Sequence, residues 1–370
     1  MSRKSGDRFS DKEHGPTKKA GERTVTIPQT NFNPPFNITR ASHLVFTARD
    51  LAASRDFYVE VLGLIVSDEN ADTIWLRGVE ERCHHSLTLK RTTGQPSCER
   101  IGFRVFTDED LDRAKAHFER TGVAATFVEV PYQGRTLHFA DAAGTPVELV
   151  ATMKTEPRMH TKIHMHRGAG ALRMDHYQVL VPDVVAAAKF YMDLGFRISD
   201  YLYVEAADRV VGTFLHRKDN PWDIVLLTRS GPRFHHGGYV VEQVEDIIRA
   251  CDVAGNLGFA DRIEHGPGRH GHQHSYFLYV RDPDGHRTEL LLPGIQVIDI
   301  DDEPVRCPVQ ANANSNLWGL PAPRSWVEEA TNFAGIEIKR PPVEGEPMTA
   351  ETYPAARKPE AVAPPVLERR

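Results

Sequence analysis

Two distant stretches of this chain follow one pattern. "HLVFTARDLAASRDFYVEVLGL" begins at His43 and "HYQVLVPDVVAAAKFYMDLGF" begins at His176. Each reads as a short apolar strand, an aspartate, a helix carrying "FY", and a closing "LG". Asp50 and Asp183 suit the N-cap, where a carboxylate accepts the first free helix N–H groups. Gly63 and Gly195 suit the left-handed residue just past the helix. The similarity continues downstream. "RIGFRVFTDEDLDRAKAHFERTG" from Arg100 parallels "HGGYVVEQVEDIIRACDVAG" from His236 as strand then helix. "LHFADAAGTPVELV" parallels "LYVRDPDGHRTELL" as strand, tight turn, strand, with turn chemistry in "DPDG". Alternating segments such as "TIWLRGVEE" and "HSLTLKRT" add further strands. An internal duplication of this kind fixes the architecture before any other consideration. The chain is expected to be α+β, with two copies of a module built from paired βαβ-like units.

The repeat sets the boundaries. Residues 1–36 are charged, contain Gly and Pro, lack apolar periodicity, and are expected to be a disordered tail. The first module spans 37–152 and the second 173–293. A histidine-rich linker, 153–172, joins them, and 294–370 forms a C-terminal extension, rich in Pro, Glu and Ala beyond about Arg340. The 370 residues carry a formal charge of −6, which argues against nucleic-acid or membrane-surface partners. No apolar run approaches the ~20 residues of a membrane span. The first residues have no hydrophobic signal core, and Cys83, Cys98, Cys251 and Cys307 form no CxxC. A reducing cytoplasm is the expected location. Histidine is in excess, with 18 in the chain, and metal or proton chemistry is the natural use for it.

The ordered set "TIWLRGVEERCHHSLTL", "RMDH", "LHRKD", "GPRFHH", "DRIEHGPGRHG", "FLYVRDPDGHRTEL" and "LWGLPAPRSW" covers roughly residues 36 to 330. It resembles the vicinal oxygen chelate superfamily, and more narrowly its two-domain type I extradiol ring-cleaving dioxygenases, in the branch of the homoprotocatechuate and catechol 2,3-dioxygenases. The resemblance implies tandem vicinal oxygen chelate domains, each of paired βαβββ modules, with a C-terminal extension. It implies a substituted catechol and O2 as substrates, ring opening next to the diol, and a role in breaking down aromatic compounds. Fe(II) is the implied metal, with Mn(II) as the alternative, since two imidazoles and a carboxylate suit both. A homo-oligomer, often a tetramer, is also implied. The segment Asn316 to Trp326 would cover the active-site mouth or pack as an ordered tail.

Carried onto this sequence, the family's ligands fall on His176, His236 and Glu289. The equivalent first-module positions hold His43, Arg100 and Glu148. Arginine stays protonated and offers no lone pair, so the first copy is expected to hold no metal. His270 and Tyr279 match family positions that stabilise oxygen intermediates. One position breaks the pattern. The branch's acid–base histidine is replaced by Trp222, whose indole cannot titrate near neutral pH. His270, His265 or His216 could take over that work, or a more acidic substrate could need less of it. Gln178 stands where the branch tends to have Asn, and with Trp222 is expected to line the substrate pocket. Arg281 and Arg287 could aid an anionic substituent. His272 and His274 are expected at the surface or pocket wall, His160, His164 and His166 in the solvated linker, and His84 and His85 in a structural role on a first-module strand. A metal-dependent isomerase or lyase of the same superfamily, or a protein that binds an aromatic compound without turnover, are the competing readings.

Overall fold

Alternating apolar positions become strands whose inner side chains share one core. A computed structural model describes residues 27–309 and 316–341, together with 349 and 351. The first module runs β1 (Ile38–Ala48), α1 (Leu51–Asp56, closing in a π-helical turn over Phe57–Val61), β2 (Ile65–Glu69), β3 (Thr73–Arg77) and β4 (Leu87–Arg91). Its second unit is β5 (Cys98–Val105), α2 (Asp108–Arg120), β6 (Ala125–Val128), β7 (Thr136–Ala140) and β8 (Pro146–Val150). The second module repeats this: β9 (Arg173–Val181), α3 (Val184–Asp193), β10 (Arg197–Val204), β11 (Arg209–His216) and β12 (Ile224–Thr228). Its closing unit is β13 (Arg233–Val240), α4 (Val244–Asn256), β14 (Ile263–His270), β15 (Tyr276–Arg281) and β16 (Arg287–Leu292). Beyond it lie β17 (Val305–Pro308), β18 (Asn316–Trp318), α5 (Arg324–Glu328) and β19 (Thr331–Asn332).

The strand orders are the same in the two copies. The first sheet reads β2-β3-β4-β1-β5-β8-β7-β6, and the second reads β10-β11-β12-β9-β13-β16-β15-β14, with β17 and β18 added at its edges and β19 on β13. Each βαβββ unit contributes half a sheet, and the halves meet at one antiparallel pair, β1 with β5 and β9 with β13. The tandem α+β architecture implied by the resemblance is the one observed. Asp50 accepts from the Ala52 and Ala53 amides, and Asp183 from those of Val185 and Ala186. Gly63 takes φ 80°, where a Cβ would sit 2.1 Å from the Arg167 carbonyl oxygen. That position requires glycine.

The repeated motifs also lock the modules together. Tyr58, from the first "FY", donates to the Asp282 carboxylate in the second module's turn at 3.1 Å. Tyr191, from the second "FY", donates to Asp141 in the first module's turn at 2.9 Å. Tyr177 on β9 accepts from the Ser42 amide and lies 2.6 Å from the Gly102 carbonyl oxygen. One apolar core runs through both copies, with Phe46 edge-on to Phe234 and Phe103 edge-on to Tyr177.

Three expectations need correction. Residues 27–36, expected in a disordered tail, are docked on the fold: the Asn31 amide donates to the Met192 carbonyl, the Thr30 hydroxyl donates to the Phe196 carbonyl, and Phe36 is buried against Phe118. Their partners lie far away in the sequence, so no local period announces them. The rest of that tail, and most of the chain past Arg340, lie outside the described residues. His84 and His85 are buried in the connection between β3 and β4, not on a strand. The linker is strapped to the first module through Ala169 and Ala171, whose amides reach the Val61 and Leu62 carbonyls, and His166 Nε2 meets the Met159 carbonyl. His160 and His164 are exposed. All four cysteines are free thiols. Among the described residues no helix is long and apolar enough to cross a membrane.

Candidate metal centre

Side chains that face the inside of the second sheet come from alternate strand positions. His176 on β9, His236 in the middle of β13 and Glu289 on β16 all fall on that face. Gly238 makes room for them: a Cβ there would lie 2.4 Å from the His176 ring. Gly102 does the same for the His43 ring in the first module. His176 pairs in register with Gly238, and Gly238 with Glu289, so neighbouring strands present the donors at one level.

His176, His236 and Glu289 each offer one donor atom, and these atoms lie within 4.8 Å of one another, all buried. His176 Nε2 is 3.2 Å from His236 Nε2. Glu289 Oε2 is 3.3 Å from the first and 3.1 Å from the second. The partners of the other ring nitrogens fix the tautomers. The Trp326 carbonyl can only accept, so His235 Nε2, 2.8 Å away, carries the proton. Neutral His235 Nδ1 is then an acceptor, and His236 Nδ1, 2.7 Å from it, must donate. That leaves the His236 Nε2 lone pair aimed at Glu289. Likewise His176 Nδ1–H donates to Asp175 Oδ2, 2.9 Å away. Asp175 is itself held by the Asn220 amide. Two imidazole lone pairs and a carboxylate oxygen thus converge. Such a set repels itself unless a positive charge lies among its members, and it fits a divalent metal.

The titration of the set follows the same logic. Burial pushes His236 down to about 4. Burial also lowers His176, but hydrogen bonds to Asp175 and Glu289 outweigh it and bring that ring up to about 9. Burial raises the Glu289 carboxyl, and bonds from His176, His236 and His270 more than reverse this, holding it well below the usual carboxylate range.

The remaining sequence candidates are arranged around these three. His270 Nε2 lies 3.2 Å from Glu289 Oε1 and 3.3 Å from the Tyr279 hydroxyl. The Tyr279 ring packs edge-on to His236 and parallel to His265. Burial raises its phenol far above the ordinary range. Trp222 is buried edge-on against His176, with 5.3 Å between ring centres, and its indole N–H points to Asp200. The Gln178 amide nitrogen is buried without a partner, one strand position beyond His176 on the same face. His272 stacks on His270 and tilts against Phe214 and Trp222, so it lines the site, whereas His274 is exposed. His216 bonds through Nδ1 to the Lys218 carbonyl. Trp326, in the C-terminal segment, packs on His235, His265 and Tyr279 and covers one side of the cluster.

Arg281 and Arg287 do not serve an anionic substituent. Both are bonded to Glu264 at 2.5–2.9 Å, and Arg287 also reaches the His235 carbonyl. Their closeness in sequence to Glu289 suggested the site, but a carboxylate from β14 holds both guanidiniums.

The first module carries a copy of this arrangement that sequence reasoning traced only in part. Glu148 contacts His43, accepts from His138 at 3.0 Å and from Gln133 at 3.0 Å, and has Arg100 Nε at 3.6 Å. His138 stands opposite Glu148 as Tyr279 stands opposite Glu289. His85 immediately precedes the buried Ser86 and β4, as Trp222 precedes Asp223 and β12. It sits edge-on to His43 at 5.6 Å, as Trp222 does to His176. A histidine therefore occupies the Trp222 position in the first copy alone. The repeat itself carries this signal, since His85 precedes β4 as Trp222 precedes β12.

Residues 40–160 and 173–290 both match the family model of the glyoxalase/bleomycin resistance protein/dioxygenase superfamily. A variant of homoprotocatechuate 2,3-dioxygenase from Brevibacterium fuscum superposes with a TM-score of 0.81 at 32% identity, over 88% of this chain and 91% of that one. The chain belongs to this superfamily, in its extradiol ring-cleaving dioxygenase branch. Other members of the branch are similar across most of their length. A protein from Geobacillus genomosp. 3 named manganese-dependent 2,3-dihydroxybiphenyl 1,2-dioxygenase is 28% identical over 72% of this chain and 89% of its own. A metapyrocatechase from Pseudomonas sp. strain CF600 is 26% identical over 70% and 87%.

Proposed function

We propose that this extradiol-branch chain opens a substituted catechol beside its diol with O2, holding Fe(II) or Mn(II) on His176, His236 and Glu289. The observation that carries this reading is the convergence of two imidazole lone pairs, each fixed in tautomer from behind, on one carboxylate oxygen. When bound, the metal would supply Lewis acidity and an electronic link between diol and O2. The Geobacillus relative, named as manganese-dependent, supports keeping Mn(II) beside Fe(II) as the working metal.

The chain's own groups divide the remaining work. Asp175 and His235 orient the two ligand rings. Trp222 excludes water beside His176 and offers an aromatic face to the ring of the substrate. It cannot take a proton, so the proton work passes to His270, whose Nε2 lies within reach of both Glu289 and the Tyr279 hydroxyl. His265 is driven down to about 4 by burial and stays neutral, which suits it to packing against Tyr279. His216 is tied to the Lys218 carbonyl and is no rival to His270.

The test is oxygen uptake and the absorbance of the yellow ring-opened product, with the chain loaded anaerobically with Fe(II) or Mn(II). Uptake with colour on at least one catechol is expected. Metal bound without uptake on plain, alkyl, aryl, carboxymethyl and halogenated catechols would sink the reading and favour an isomerase or lyase.

A further inference from the structure

Away from the metal ligands, a cavity of about 460 Å³ lies where the two modules join. The first module contributes Arg40 from β1 and Arg104 from β5. The second contributes Arg173 and Met174 from the start of β9, and Lys218. Its charged lining is six basic side chains against two acidic ones, Glu80 and Glu81, in a chain whose overall charge is −6. The local sign is thus opposite to the global one.

The two acids leave most of this positive charge uncompensated by direct contact. Both Glu81 oxygens are engaged by the molecule's own donors, Oε2 by the Gly78 amide and the Ser86 hydroxyl and Oε1 by the Met174 amide. Glu80 is paired with Arg173 at 2.6 Å. Lys218 is satisfied by Asp223 and by the Asp175 and Trp222 carbonyls. Arg40 and Arg104 are left over. Both are half-buried, and their hydrogen-bond partners are neutral. Arg40 bonds to the Ala41 carbonyl and Arg104 to the Ala151 carbonyl, and Glu81 acts on Arg40 through space without touching it. Neither has a carboxylate within 4 Å among the described residues. Half-buried guanidiniums with no anion in contact have unused donors, and their planar forks match doubly charged oxyanions.

We infer that this junction cavity binds a small anion with two or more charged oxygens, a phosphate or a dicarboxylate, between Arg40 and Arg104. The Arg82 and Arg158 side chains at its lining add attraction from further out.

Isothermal titration of the metal-loaded full chain with inorganic phosphate and, separately, with succinate tests this at low ionic strength, where screening is weak. Sodium chloride at matched ionic strength is the control. Saturable binding of about one anion per chain is expected for at least one probe, and the one that binds tells phosphate from dicarboxylate. The double variant R40Q/R104Q should bind at least about tenfold more weakly. Thr155→Glu, which places a carboxylate in the cavity wall, should abolish binding and guards against a misfolded double variant. H236A, which lacks a metal ligand, should bind the anion as the parent does. Heats no larger than the chloride control would overturn the inference. So would unchanged binding in both R40Q/R104Q and T155E, or binding that disappears in H236A alone.

Discussion

His235 Nδ1 and His236 Nδ1 lie 2.7 Å apart, and the direction of that hydrogen bond aims the His236 lone pair at the other two ligands. His235 therefore acts behind the site rather than in it. Replacing His235 with alanine should weaken metal affinity about 10–100-fold, the usual cost of losing a partner behind a ligand. Chelator competition measures it. Unchanged affinity would show that the tautomer is set elsewhere.

Trp222 and His270 separate water exclusion from proton transfer. His270→Asn should lower kcat about 100-fold or more with metal content intact, since a positioned acid–base group contributes on that scale. Trp222→Phe should leave the shape of the kcat–pH profile unchanged. Trp222→His should add an ionisation to it, because it puts a titratable ring against His176. A profile that shifts in W222F would mean that the indole itself handles the proton.

Glu264 connects the site to acid stability. Burial acts to raise its carboxyl, but Arg287 and Arg281 bring it from 4.5 down to about 2. A depressed acid stabilises the fold fully above its unfolded value and loses that contribution as pH falls through the folded one. The loss should therefore run between pH 4.5 and about 2. Its full size is on the order of 3 kcal/mol. Urea unfolding should show Glu264→Gln destabilised by about that amount near neutrality, with a flatter acid limb. Equal acid limbs in parent and variant would contradict this.

The inner face of the second sheet also predicts which catechols fit. Phe214, Trp222, Val225 and Leu291 form a small apolar cluster separate from the main core. Beside it Asp200 is buried, raised to about 6 by that burial, with one oxygen unpartnered. Arg281 and Arg287, close in sequence to Glu289, are held by Glu264. Catechols with uncharged apolar substituents should have a kcat/KM at least about tenfold above that for 3,4-dihydroxyphenylacetate, whose carboxylate would meet Asp200 and apolar walls. A preference for the carboxylate would contradict the assignment.

The repeat made the architecture legible, because both copies obey the same alternation and the same caps. The family resemblance, placed on the repeat, pointed to His176, His236 and Glu289, each at a strand position whose counterpart could be compared. What escaped were contacts set by tertiary proximity. Nothing local marks Trp326 as the acceptor for His235, or Glu264 as the partner of Arg281 and Arg287, 17 and 23 residues on. The ordered stretch before Phe36 depends on carbonyls more than 160 positions away. His85 and His138 were readable from the repeat, since they stand where Trp222 and Tyr279 stand in the second copy.

Metal stoichiometry tests the central claim most directly. Parent, H236A and E148Q chains would be equilibrated with Fe(II) or Mn(II) under anaerobic conditions, desalted, and assayed by elemental analysis. The account predicts about one metal per chain in the parent, loss in H236A, and retention in E148Q. Metal retained by H236A and lost from E148Q would contradict it, and would place the working site in the first module.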